Sequence, residues 1–259
     1  SPDGSIRKMN KVLVMVNSHC ATIRKGATDM DGNDLLKNFE LNYLIIGNAN
    51  VGLRDVQITG NSLDFSSVEK SNKGFRALSL PSLDLNFYDI FLVAEGLNPL
   101  DLRNYYRVNS NKIYKPLSRA TIRAICLNIN RYSKCVAYIA RNFPSKMIII
   151  SAPPPAFVGE NEELLKASYG AKHLRDLYKI FRNNLELLKG FSEKIREACE
   201  SSYRENQSPS FILPPRNLLD PSGLFLNSNY ARKDLFHGDE IYGSTMLEQM
   251  AHLVHNQMP

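Results

Sequence analysis

"VLVMVNSHCATI", residues 12–23, decides how the rest of the chain is read. Five apolar residues in a row, three of them valine, stop at Asn17-Ser18-His19-Cys20. A short, continuous apolar run of this kind predicts a strand buried on both faces, and such strands belong to parallel sheets. What stands at its carboxyl end then matters, because ligands bind at the carboxyl ends of the strands in open α/β sheets.

Further runs of the same kind recur along the chain. "LNYLIIG" (41–47), "YDIFLVAEG" (88–96), "KMIIISAPPP" (146–155) and "PSFILPP" (209–215) predict four more buried strands, the third of these running into a proline loop. "LRDVQITGNSLDF" (53–65) predicts a hairpin turning at Gly60-Asn61. A helix is expected to begin within "ATIRKGATDM", long helices over 160–200, and a closing helix over 239–256. Strands alternating with helices predict an α/β fold: a three-layer α/β/α sandwich around a mostly parallel sheet of about five strands. Residues 1–10 read as an N-terminal extension or cloning remnant, and 11–259 as one domain with a basic helical insert at about 100–145.

Composition narrows the classes. Hydrophobic residues make up 43% of 259, enough for a substantial core. No run approaches the roughly 18–20 apolar residues of a membrane span. The first ten residues lack the apolar segment of a signal peptide, which points to the cytoplasm unless a leader preceded them. Four scattered cysteines, without CxxC or Cys/His ligand spacing, read as reduced thiols and imply no metal. Between Asp101 and Lys146 ten Lys/Arg face one acid, a net +9 within a chain of +6. Tyr105, Tyr106 and Tyr114 are interleaved with these cations, and Arg103 and Arg107 flank the first two. The segment reads either as a wall that grips an anionic or glycan-bearing substrate or as amphipathic helices with a solvated basic face. No nucleic-acid-binding signature accompanies the charge, and no nucleic-acid partner is expected.

The first three strand ends, and the entry to the last helix, carry polar or glycine residues. Ser18 and His19 follow the first strand, "GNANVGL" the second, "GLNP" the third, and "DLFHGDEIYG" precedes the last helix. A serine hydroxyl needs a base, the base needs an orienting carboxylate, and the oxyanion needs aimed donors. Ser18, His237, Asp234, a loop glycine and Asn98 supply those types.

This order of blocks resembles the SGNH (GDSL-type) hydrolases over roughly residues 11–249. Ser18 in "VNS", Gly52 in "IIGNANVGL", Gly96 and Asn98 in "GLNP", and Asp234 and His237 in "DLFH" carry the resemblance. Val16 and Asn17 stand where the family has Gly and Asp, and Pro99 where it has Asp. The resemblance implies a serine esterase with Ser18 as nucleophile, His237 as base and Asp234 as its orienter. The oxyanion hole would be Ser18, Gly52 (or Gly47) and Asn98. The expected substrate is an O-acyl ester, such as O-acetyl, on a carbohydrate or another small molecule, contacted by His19, Arg103, Tyr105 and Arg107. No cofactor is implied. The alternatives are an acyltransferase using the same triad and a non-catalytic glycan-binding or scaffold protein. Ser18 as a plain helix cap, and Cys20 as a rival nucleophile, are the competing readings of the first block.

Overall fold

The structure, a computed structural model, describes residues 8–16, 18–31, 33–45, 56–66, 82–97, 134–156, 185–204, 210–235 and 237–257. Five strands form the main sheet: β1 (Asn10–Val16), β2 (Phe39–Ile45), β6 (Ile90–Leu97), β7 (Met147–Ser151) and β8 (Ser210–Ile212). Every pairing is parallel, in the order β2-β1-β6-β7-β8. Counted within the sheet alone this is the doubly wound order 2-1-3-4-5, whose topological switch lies between β1 and β6.

Alternation along the strands separates two cores. Val12, Val14 and Val16 of β1, with Ile90, Leu92, Ile148 and Ile150, face α1 (Cys20–Asp29) and the C-terminal helix α4 (Glu240–Gln257). Leu13 and Met15, with Phe91, Val93, Met147 and Ile149, face α2 (Lys134–Asn142) and α3 (Leu185–Arg204). A strand with apolar residues at both parities therefore has a helix layer on each side, which is the three-layer arrangement the sequence predicts. Helix α2 ends one residue before Phe143-Pro144, where proline disfavours helix in the residue preceding it.

The predicted hairpin is present as β3 (Gln57–Thr59) and β4 (Ser62–Asp64), antiparallel about Gly60-Asn61. Gly60 takes φ of +57°, the left-handed region open to glycine. A third strand, β5 (Ser82–Asp84), completes this small sheet and lies outside the sequence expectation. Leu63, Leu83 and Leu85 bury its inner side against the α2–α3 core. The β6–β7 register shifts between Ala94 and Leu97, so the irregularity falls at the carboxyl end of β6 beside the switch point. No helix among the described residues is long and apolar enough to cross a membrane.

Candidate active site

The carboxyl end of β1 turns through Ser18 and His19 into α1. Ser18 is exposed. The cap position of α1 belongs to His19, and no side-chain bond caps this helix. The helix-cap reading of Ser18 is therefore not what the structure holds. Cys20 begins the helix and packs, half-buried, against the α1–α4 core.

The Asp-x-x-His segment forms a closed loop just before α4. Asp239 N–H donates to Tyr230 O at 2.8 Å and Arg232 N–H to His237 O at 2.8 Å, so the two arms run as a short ladder. Within it both oxygens of Asp234 serve one histidine. Oδ1 accepts from His237 N–H at 3.0 Å, and Oδ2 lies 2.6 Å from His237 Nδ1. An ionised carboxylate only accepts, so the short contact assigns a proton to Nδ1, and in the neutral tautomer that follows the lone pair is on Nε2. The two side chains keep 26% and 30% of their surface exposed, so the pair is open to a ligand while held by its own loop. Leu235, buried between them in sequence, has φ of +64°, a left-handed conformation that side chains other than glycine adopt at some cost. That strained residue is pinned: its carbonyl accepts from Ala156 N–H at 2.8 Å, on the proline-rich stretch after β7.

Two contacts bring this loop to the end of β1. The rings of His19 and His237 lie 4.5 Å apart between centroids, tilted by 50°. Below them Thr22 Oγ1 donates to Gly238 O at 2.7 Å in a buried bond spanning 216 residues of sequence. Helices α1 and α4 touch through Gly26 and Gly243. A Cβ on Gly26 would lie 2.8 Å from Gly243 Cα, and a Cβ on Gly243 would lie 2.9 Å from Thr22 C and nearer still to Thr22 O. Glycine at both positions allows the backbones this approach. Asp239 caps α4 by accepting from Ile241 N–H and Tyr242 N–H, both at 3.0 Å. Tyr242 O–H donates to Ser151 O at 3.1 Å, tying the same helix to the end of β7.

Electrostatics act strongly on His19. Burial first, then the neighbouring His237 and, last, Arg232, hold the His19 pKa down to about 3, against an opposing pull from Asp234. His19 is thus a neutral ring at ordinary pH. Arg232 Nη2 is buried without a hydrogen-bond partner among the described residues.

Of the residues singled out in the sequence, Ser18, His19, Asp234 and His237 share this corner of the sheet. Gly47, Gly52, Asn98, Arg103, Tyr105 and Arg107 lie outside the described residues. Asn98 follows directly on β6, the strand across the switch point from β1. Thr22, Gly26, Gly243 and Arg232 were not singled out. A "small-x-x-x-small" spacing from Thr22 to Gly26 was the available signal for the helix contact, and its meaning depends on which helix faces it. Among the described residues no group of three or more His, Cys, Asp or Glu is placed to hold a metal ion. The sequence matches no family model and no curated protein.

Proposed function

We propose that the protein is a serine esterase of SGNH type that hydrolyses an O-acyl ester on a carbohydrate or another small molecule. The observation that carries this reading is the 2.6 Å contact of His237 Nδ1 with Asp234 Oδ2, on a loop packed against the turn that presents Ser18.

Ser18 Oγ attacks the acyl carbon while His237 Nε2 takes the hydroxyl proton. Asp234 keeps the other ring proton on Nδ1 and stabilises the imidazolium as it forms. The tetrahedral oxyanion is held by the Ser18 N–H, with the Gly52 N–H and the Asn98 amide as the assigned partners. Collapse expels the alcohol, which takes the proton from His237. Water, deprotonated by His237, then attacks the acyl-serine; the acyl–Oγ bond breaks, Ser18 Oγ takes the proton back from His237, and the acid is released. No hydrogen bond joins Ser18 to His237 among the described residues, and such contacts tighten when substrate closes the site. The Arg103, Tyr105 and Arg107 segment is assigned to the substrate's anionic or glycan part.

The test compares wild type, Ser18→Ala and His237→Ala for turnover of a short-chain p-nitrophenyl ester and for labelling by a fluorophosphonate. Turnover with labelling at Ser18, both lost in the variants, is expected. A folded wild type with neither activity would overturn the reading. Product formed on an added alcohol in preference to water would move it to acyl transfer.

A further inference from the structure

The ring against His237 is unusual in its position: it belongs to the residue next to the nucleophile itself. His19 stands at the cap position of α1, where its carbonyl accepts from Ile23 N–H at 3.2 Å. Its backbone is therefore fixed by the helix that follows. Its side chain reaches across to the Asp-His loop and meets the His237 ring at 4.5 Å and 50°, the near end of the range favoured by packed aromatic rings. His237 is then held at two places. Asp234 grips Nδ1 and the backbone N–H from within the loop. His19 lies against the ring from the side of β1.

We propose that His19 is a positioning residue that braces the His237 imidazole, so that Nε2 stays directed at the Ser18 turn throughout turnover. This inference rests on the esterase reading and deepens it. The physical argument is rotational. The Nδ1 bond to Asp234 fixes one nitrogen of the ring, yet leaves rocking about the Nδ1–Oδ2 line. A ring packed against the imidazole at 4.5 Å, tilted by 50°, limits that freedom. The brace has a second requirement, since a cation in this place would repel the imidazolium formed during attack. The charged groups acting on His19 are His237, Asp234 and Arg232. Half-buried, with Arg232 acting on it, His19 stays neutral and supplies contact without charge. Because residue 19 adjoins residue 18 in the chain, nucleophile and brace move together. Any shift of the β1–α1 turn carries the base's support with it.

Two substitutions separate a ring contact from a generic structural role. His19→Phe keeps a flat neutral ring, and His19→Ala removes it. Each is assayed for kcat and KM on a p-nitrophenyl ester and for the low-field proton resonance of His237 Nδ1–H. For His19→Ala, kcat is expected to fall by about 10-fold or more, towards the roughly 100-fold that a 1 Å misplacement costs. KM should hold and the resonance should broaden into exchange with water. His19→Phe is expected to keep most of kcat and a sharp resonance. The brace is overturned if His19→Ala keeps both kcat and the resonance. It is also overturned if His19→Phe, folded by circular dichroism, fails as the alanine variant does. A wild type that shows the resonance but no turnover and no fluorophosphonate labelling would overturn the esterase reading instead. The resonance in the two variants then decides the brace by itself.

Discussion

Replacing Gly243 by alanine tests whether the α1–α4 contact sets the spacing between the two halves of the site. The added methyl would sit 2.9 Å from Thr22 C and closer to Thr22 O, and both are backbone atoms of the facing helix. No rotamer change relieves a backbone clash, so the helices must separate. Overpacking costs about 1–3 kcal/mol, and a clash against main chain belongs at the upper end. Alanine's better helix propensity returns about 1 kcal/mol. Separation also strains the buried 2.7 Å bond from Thr22 to Gly238, worth about 1 kcal/mol. A net loss of about 3 kcal/mol follows, or a melting point lower by about 6–12 °C for a chain of this size. Gly190 is the control. It lies exposed in α3, and a Cβ there meets nothing within 4 Å. Gly190→Ala should stabilise by about 0.5–1 kcal/mol from propensity alone. Both variants are read by thermal and urea unfolding, with ester turnover measured on the folded fraction. Gly243→Ala is expected to lose activity beyond its loss of folded protein, because His237 moves with α4. A Gly243→Ala protein as stable and active as wild type would refute the claim that this contact fixes the site.

Asp234→Asn keeps the shape of the side chain but presents an amide to His237 Nδ1, so the ring loses its tautomer control. Turnover should fall by about 10³–10⁴-fold with little change in melting point, measured on the same chromogenic ester. Tyr242→Phe leaves the buried carbonyl of Ser151 without its partner and should cost about 1–3 kcal/mol in urea unfolding. His19 adds a pH dependence to stability. Its folded pKa, about 3, lies below the ordinary 6.5, so its contribution is complete above pH 6.5 and is lost as pH falls towards 3. At pH 5 the loss is about 2 kcal/mol, and it should appear as the difference between wild type and His19→Phe in unfolding at pH 8 and pH 5. Equal pH slopes for the two proteins would remove His19 from the account.

The main sheet was legible because its strands are buried on both sides. "KVLVMV" and the "MIIIS" of "KMIIISAPPP" have no charged residue inside the run to make another reading compete; the first strand, Asn10–Val16, starts one residue before its expected bound, and the other, Met147–Ser151, ends just before the proline stretch. Strand β5 was not legible. "SLD" alternates exposed, buried and exposed over three residues, too short a window for periodicity to register. The Asp234–His237 pair was legible because its two members are local in sequence and stand just before a recognisable helix. The approach of His19 to His237 was not, since nothing in "NSHC" records which loop will lie above it. Gly26 and Gly243 carry the same limitation: a missing side chain acquires meaning only from what approaches it. The first-block alternative, Ser18 as cap, fails for a similar reason, because the helix starts one residue later than that reading needs.

The bond from Thr22 to Gly238 also has a consequence for the order in which the molecule is made. It joins residues 216 positions apart, so the corner holding Ser18 and His237 is among the most non-local places in the fold. Contacts of such long separation form late, after the intervening chain has been ordered. During synthesis the turn after β1 emerges early and waits while β6, β7 and β8 are added beside it. His237 arrives only with the loop before α4. On the proposed esterase reading, turnover is therefore silent on a partial chain and begins only once the sheet is complete.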